Sequence, residues 1–512
     1  MENEVLRMTD ITKIYPNGVI ANKDVSFSLK KGEIHALMGE NGAGKTTLMK
    51  ILFGIEECNS GEILYDGRNI GKKTPEERIK LGIGMVHQHF TLVDSLRVYE
   101  NVVLGMEPKK GLFIDKKAAI DMVGELSETY NLNVDPHARI SDISVGLRQK
   151  VEILKVLARG AMLLILDEPT AVLTPQETKE LFQQLLLLKE SGRSIIFISH
   201  KIREVMEICD RITVLRDGKL IQSMNVVGIN QEDVSRSMVG RSIILKADKG
   251  APDFGEIVLS VRDLTYSSSS KKVLKNISFD LHKGQILGVA AVEGNGQNEL
   301  AESIFGLREG AHGEVLLEGE NILGKSIKDI RANSVSYIPE DRLAFGIAKE
   351  AAAWENLISD RIDSPGLKSK GFLSPSKIRH TCKELIKDFD IRCKNEKQSA
   401  EMLSGGNIQK IVVAREFSSN PNLLLANQPT RGVDVGSNEF VWQKIIEKRD
   451  EGKGVLLISA DLNEILELSD SIMVMCNGEV AAFFQDSASV TEEELGLYML
   501  GIKKQKVTVH EQ

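Results

Sequence analysis

Gly39-Glu40-Asn41-Gly42-Ala43-Gly44-Lys45-Thr46 fits the spacing G-x-x-x-x-G-K-[ST]. The apolar run Ile34–Met38 precedes it, and Thr47-Leu48-Met49-Lys50-Ile51-Leu52 follows with helical character. Strand, glycine loop and helix in that order form the setting in which backbone N–H groups turn inward around a phosphate. Lys45 then supplies positive charge to the β- and γ-phosphates, Thr46 a hydroxyl to Mg²⁺, and the helix its N-terminal dipole.

Working outward, the runs 163–166 and 195–198 are also short, apolar and unbroken. Such runs suit parallel strands buried on both faces. Between them, 176–191 carries Leu181, Leu185 and Leu188 at helical spacing. Strand and helix alternate, which predicts an α/β fold with a mainly parallel sheet. Earlier segments such as 62–65 read as shorter, antiparallel strands. Leu163-Leu164-Ile165-Leu166-Asp167-Glu168 ends a buried strand in two carboxylates. Beside a phosphate loop, Asp167 can hold Mg²⁺ through water, and Glu168 can orient or deprotonate the water attacking a γ-phosphate. Without the loop, the pair reads as a helix cap.

The chain repeats itself. Gly61-Glu62-Ile63-Leu64-Tyr65-Asp66-Gly67 returns as Gly313-Glu314-Val315-Leu316-Leu317-Glu318-Gly319, and Lys31-Gly32 as Lys283-Gly284, both 252 residues on. Tyr99-Glu100-Asn101 returns as Trp354-Glu355-Asn356 at 255; Leu-Asp-Glu-Pro-Thr at 166–170 returns as Ala-Asn-Gln-Pro-Thr at 426–430, at 260. A period this long predicts two like domains, 1–245 and 256–505, joined by a polar, breaker-rich linker within 242–256.

Composition narrows the classes. With 512 residues, 42% apolar and 27% charged, the chain has material for full cores. Its 65 basic and 73 acidic residues give −8, which argues against a general nucleic-acid binder. The five cysteines form no CxxC pair, so no zinc site or disulfide framework is expected. No run approaches the roughly 20 apolar residues that span a bilayer, and the N-terminus lacks a secretory signal. Any role at a membrane is therefore expected to come through a partner.

The ordered set of motifs resembles the ATP-binding-cassette (ABC) ATPases. It comprises the loop 39–46, the acidic strand end 163–168, Gln88 within Val86-His87-Gln88-His89-Phe90, Ser144-Val145-Gly146 before Arg148-Gln149-Lys150, and His200 after a strand. The resemblance covers nearly the whole chain. It implies two tandem P-loop nucleotide-binding domains, each with a parallel core sheet, an antiparallel β subdomain and a helical subdomain. It implies ATP and Mg²⁺ as ligands. Gly39, Asn41, Gly42, Gly44, Lys45, Thr46 and Thr47 would cradle the nucleotide, and Tyr15 would stack on adenine. Thr46, Gln88 and Asp167 would face the metal. Glu168, His200 and Gln88 would serve hydrolysis, with His200 touching the γ-phosphate and Gln88 sensing the metal and the attached membrane domain.

The second half departs from that pattern in an ordered way. Gly39, Lys45 and Thr46 map to Ala291, Gln297 and Asn298; Gln88 maps to Glu340; Asp167 and Glu168 map to Asn427 and Gln428; His200 maps to Ala460. Hydrolysis there should be near zero, because an amide cannot accept the water's proton at neutral pH. The signature motif shows the reverse: Leu403-Ser404-Gly405-Gly406-Asn407 is close to the family's LSGGQ, whereas Ile143-Ser144-Val145-Gly146-Leu147 is not, and Asp434 stands where the first half has Thr174. In the family, each ATP lies between one cassette's loop and the other's signature. The resemblance thus implies one complete site, with Ser404, Gly405 and Gly406 facing Lys45, and one incomplete site.

A tandem cassette of this length with Pro339-Glu340-Asp341-Arg342 resembles the ATPase subunit of bacterial simple-sugar and nucleoside importers. The stretches 86–90 and 294–297 favour the nucleoside branch. The partners implied are two transmembrane permeases and an extracellular binding protein or lipoprotein, with the chain peripheral on the cytoplasmic face of the membrane. The alternatives are an importer of a simple sugar such as ribose or galactose and, more distantly, a soluble tandem-cassette ATPase acting on ribosomes. The latter usually has a long basic linker and two complete sites. Neither zinc pairs nor long coiled coils of repair ATPases are visible, and the complete first site argues against a pure scaffold.

Overall fold

The computed structural model describes residues 4–16, 18–40, 42–88, 90–171, 173–199, 201–239, 249–268, 271–369, 371–431, 433 and 435–505. Asn41, His200 and Asp434, singled out above, lie outside the described residues, as does 240–248 of the expected linker. The chain divides into two units, Met1–Ile244 and Leu245–Gln512.

In the first unit the apolar runs become the middle of a six-stranded sheet. Its order is Lys219–Asn225, Arg211–Arg216, Ile34–Met38, Ser194–Ile198, Leu163–Asp167, Ile83–Val86, all parallel except the first pair. Every residue of Ile34–Met38, Leu163–Asp167 and Ser194–Ile198 is buried, the burial on both faces that their unbroken apolar character announced. A second, antiparallel sheet runs Ile20–Lys30, Glu4–Ile14, Ser60–Tyr65, Arg68–Asn69. Between the sheets lies a core of Leu6, Phe27, Leu48, Leu52, Ile63, Ile165 and Ile196. Leu48 and Leu52 are fully buried on the helix Lys45–Phe53 and contribute on the order of 2 kcal/mol each by leaving water. That helix, the first after the glycine loop, is thereby fixed between the two layers.

The helices Val98–Val103, Lys116–Thr129 and Val145–Ala158 pack together as a third part. Asn101 ties its entry: its Oδ1 accepts from the Val93 N–H at 2.7 Å, and its Nδ2 donates to the Val93 carbonyl at 3.1 Å. The second unit repeats the device, with Asn356 bonding the Ala348 N–H and carbonyl at 2.8 and 3.0 Å. The repeated asparagine in the sequence is thus a loop clamp that satisfies buried backbone groups.

The second unit has the same layers. Its six-stranded sheet runs Val335–Ile338, Leu423–Asn427, Gly454–Ser459, Ile286–Ala291, Ser471–Cys476, Glu479–Phe484; its antiparallel sheet runs Lys271–His282, Ile257–Ser268, His312–Leu317, Glu320–Asn321. Residues 249–255, read from the sequence as linker, are tied to this unit. Arg449 and Asp470 form a buried pair at 3.0 Å, and the same guanidinium nitrogen donates to the Gly250 carbonyl at 3.0 Å. Gly255 N–H bonds the Lys283 carbonyl at 2.9 Å. A buried arginine with a spare N–H needs an acceptor, and the stretch after 248 supplies one. No helix among the described residues is long and apolar enough to cross a membrane.

Candidate active site

Parallel register brings the distant motifs of the first unit to one sheet edge. Ile198 lies opposite Leu37 on one side and Asp167 on the other. The chain therefore leaves the sheet at neighbouring points into the glycine loop, the Asp167-Glu168 turn and the segment after Ile198.

Two loop glycines have steric reasons to be there. A Cβ on Gly44, at φ 96°, would lie 2.2 Å from the Ala21 carbonyl oxygen, and one on Gly39 would lie 2.2 Å from that of Leu215. Gly44 precedes the helix Lys45–Phe53 and gives it no side-chain cap, so its first N–H groups remain available to an anion. Lys45 is 6% exposed, and its ammonium donates to the carbonyls of Gly39 at 2.7 Å and Glu40 at 3.0 Å. Burial lowers the Lys45 pKa, and the charges of Glu168, Asp167 and Glu40 oppose that.

Thr46 Oγ1 stands 3.5 Å from Asp167 Oδ2. Asp167 is 4% exposed, and burial together with the neighbouring Glu168 pushes its carboxyl up to about 6. A buried carboxylate crowded by a second one, with a hydroxyl at hand, is an oxygen set suited to a hard divalent cation. Glu168 adopts a left-handed backbone, φ 49°, and its N–H bonds the Ile198 carbonyl at 3.0 Å. Gln428 repeats both features, with φ 51° and 2.7 Å to Ile458. The turn is therefore retained where the acid is lost. Gln88 Nε2 donates to Glu168 Oε2 at 3.1 Å, joining residues 80 positions apart.

Tyr15 sits beside the first turn of the same helix. Its hydroxyl donates to Glu56 at 2.8 Å and lies 3.4 Å from Thr47 Oγ1, while the Lys13 ammonium rests 5.3 Å from its ring centroid. Burial and the Glu56 carboxylate push the phenol up. Sequence reasoning missed Glu56, because nothing in the stretch Ile55-Glu56-Glu57 distinguishes the acid that meets Tyr15.

The second unit keeps the loop backbone and replaces the chemistry. Gly294 and Gly296 have φ 89° and 96°, close to 84° and 96° at Gly42 and Gly44. Gln297, 3% exposed, has an Oε1 without a hydrogen-bond partner among the described residues, as does Asn427 at its Oδ1. Asn427 Nδ2 donates to Asn298 Oδ1 at 2.9 Å, Asn298 donates to Glu340, and Glu340 pairs with the Arg431 guanidinium. Arg431 also stands 3.8 Å from Glu293. Where the first unit gathers a lysine and two carboxylates, the second has amides and an internal ion pair. Arg431 is a further miss; its signal was its place directly after Pro429-Thr430, where the first half has Ala171.

The two signatures differ as well. Ser404 caps the helix Gly405–Ser418 and accepts from the Asn407 side chain at 2.9 Å. Ser144 caps Val145–Ala158, but a Cβ on Gly146 would lie 2.1 Å from Glu177 Oε1. A carboxylate against that helix's first turn already answers its dipole and disfavours a second anion. The residue 260 positions on is Ser437.

Comparison with known proteins agrees with this architecture. The ABC transporter family model matches residues 22–171 and 274–431. A nucleoside import ATP-binding protein of Lactococcus lactis is 45% identical over 98% of this chain and 99% of its own. A guanosine import ATP-binding protein of Bacillus subtilis is 44% identical over 97% of each chain. A glucose import ATP-binding protein of Haloferax volcanii is 40% identical over 97% and 96%. Two cassettes, the order of their motifs and these matches over nearly full length place the chain in the ABC transporter family, as a tandem-cassette ATPase.

Proposed function

We propose that this chain hydrolyses ATP in its first half and thereby energises nucleoside uptake through two transmembrane permeases fed by an extracellular binding protein or lipoprotein. The observation that carries the reading is the convergence of Lys45, Thr46, Asp167, Glu168 and Gln88 at one sheet edge, against amides at the corresponding edge of the second unit. In this reading Gly39, Asn41, Gly42, Gly44 and Thr47 cradle the phosphates by their backbone, and Lys45 neutralises them. Tyr15 stacks on adenine, its ring held by Glu56. Thr46, Asp167 and Gln88 would hold Mg²⁺, which would supply charge neutralisation on the phosphate oxygens. Glu168 accepts the proton of the attacking water, Gln88 holds its carboxylate in place, and His200 touches the γ-phosphate. Ser404, Gly405 and Gly406 present the first turn of their helix to the nucleotide of the first half, as the family pattern implies.

Attachment to a permease is supported by a cavity of about 160 Å³ beside Gln88, lined by Phe53, Ile83, Met85, His87, Lys155 and Arg159 among others. It lies where the core sheet meets the helical part, so a permease segment seated there would feel any shift of Gln88. The nucleoside branch is favoured by the two import proteins at 44–45% identity; the sugar reading is favoured by the glucose relative at 40%.

Steady-state phosphate release from the assembled transporter tests the catalytic reading. Glu168→Gln or Lys45→Ala is expected to abolish it, whereas Gln428→Ala or Gln297→Ala leaves most of it. Equal damage from Glu168→Gln and Gln428→Ala would refute the assignment. Competition uptake tests the substrate: adenosine, guanosine or uridine should suppress transport. Suppression by ribose or galactose alone would make the chain a sugar importer's subunit.

A further inference from the structure

Among the described residues, four large apolar side chains are at least 80% exposed: Leu112 at 98%, Val227 at 91%, Phe372 at 81% and Phe113 at 80%. Three of the four sit on two small hairpins at the same place in each half. In the first, Lys109–Lys110 pairs with Phe113–Ile114 around Gly111-Leu112; in the second, Lys368–Ser369 pairs with Phe372–Leu373. Each hairpin leads into a long helix of the helical part, Lys116–Thr129 or Pro375–Asp388. Neither tip packs on a core, so folding alone does not account for a phenylalanine there.

The net charge around both tips is positive. Residues 108–117 carry Lys109, Lys110, Lys116 and Lys117 against Asp115, a net +3, and residues 366–379 carry Lys368, Lys370, Lys377 and Arg379 with no acid, a net +4, in a chain of net −8. The four lysines of the first hairpin are exposed, and none has a carboxylate within ion-pair distance among the described residues. In the second, Lys368 reaches Asp363 at 3.4 Å and Arg379 reaches Glu396 at 3.5 Å, pairs open enough to water to hold their partners weakly. Both following helices have no acid in their first turn and basic residues there instead. Asp115 caps the first of these helices, accepting from the Ala118 N–H at 3.1 Å, whereas the second has no side-chain cap and leaves its N-terminus open to an anion.

We infer that each hairpin corner, taken by itself, is a contact point for an anionic lipid surface, Leu112 and Phe113 of the first or Phe372 of the second entering the headgroup layer and the lysines beside it meeting lipid phosphates. An exposed apolar tip flanked by lysines that face water or hold only exposed partners matches the chemistry of an anionic bilayer: apolar area to bury and several separate negative charges at the level of the ring. The inference does not depend on the transport reading. It adds a direct, weak membrane contact to the attachment through permeases expected from the sequence.

The test is co-sedimentation of the purified full chain, without permeases, on vesicles of phosphatidylcholine with or without phosphatidylglycerol. The chain is expected to bind the phosphatidylglycerol vesicles, to leave pure phosphatidylcholine, and to be released by salt. The variant Leu112→Ser/Phe113→Ser/Phe372→Ser should lower the partition coefficient at least about tenfold, and Lys109→Glu/Lys116→Glu/Lys117→Glu should abolish the preference for anionic lipid. Both variants should keep the parental rate of ATP hydrolysis, since the tips touch neither core nor site; the apolar-tip variant should also keep the parental melting temperature, and the charge-reversal variant should melt no lower. Absence of binding to the anionic vesicles, or equal binding by the parent and the apolar-tip variant, overturns the inference. Binding that appears only when permeases are reconstituted also overturns it, and makes the permease the partner of the hairpins.

Discussion

Asp167→Asn should make the protein more stable and catalytically dead, and the size of the gain follows from the site. The Asp167 carboxyl is buried beside Glu168 and pushed from 3.8 up to about 6. Holding it ionised at neutral pH therefore disfavours the folded state by about 3 kcal/mol, at ~1.4 kcal/mol for each pH unit. The sign follows from proton binding. Between roughly pH 4 and 6 the folded form binds the proton that the unfolded form has released, so stability from this group falls as pH rises through that window and is lowest above it. Asparagine, which the second half already carries at residue 427, removes the charge and keeps the shape. The first thermal transition of the full chain, measured with chelator at pH 7.5, should rise by about 5–10 °C. At pH 4, where Asp167 is largely protonated in the folded state, the gain should shrink to about 1 kcal/mol or less. Adding MgATP should stabilise the parent more than the variant, because the metal relieves the same crowding. A variant no more stable than the parent at pH 7.5, or one whose advantage is the same at both pH values, would refute the electrostatic reasoning.

Other perturbations probe the asymmetry and the scaffold. Ser404→Arg should stop steady-state hydrolysis, while Ser144→Arg, whose helix already has Glu177 against it, should do less; equal loss in phosphate-release assays would count against one complete site. Arg78 is 2% exposed and donates to the carbonyls of Ile51, Leu52, Gly71 and Lys73 at 2.5–3.1 Å, closing the end of the helix that begins at Lys45. Arg78→Met removes four donated bonds, leaving Ile51 only its bond from the Gly54 N–H, and should cost about 3 kcal/mol; an unchanged first melting transition would show the bonds to be unimportant.

The strands Ile34–Met38, Leu163–Asp167 and Ser194–Ile198 were legible because burial on both faces demands unbroken apolar runs. The expected helix over 176–191 is Pro175–Glu190, with Leu181, Leu185 and Leu188 buried. The hairpin tips were not legible: Leu112-Phe113-Ile114 reads as a short apolar run, and only the fold shows that nothing among the described residues covers it. Residues 249–255 carried breaker residues that suggested a linker, yet an arginine 199 residues beyond Gly250 holds them.

The sequence by itself determined the glycine loop, the alternation of strand and helix, the internal repeat and the ordered loss of charge in the second half. Each is a matter of local spacing or of residue type at a fixed offset, and local backbone preference and burial act over a few residues. The tertiary structure alone decided which residues meet. Asp167 stands by Thr46 because Ser194–Ile198 pairs with both flanking strands. Gln88 reaches Glu168, Tyr15 finds Glu56, Glu177 closes on Gly146 and Arg431 claims Glu340. Strand order and the packing of helices on the sheet set these pairings across 30 to more than 100 residues of chain. A side chain's neighbours at that range depend on the whole fold, and no pattern within its own segment encodes them.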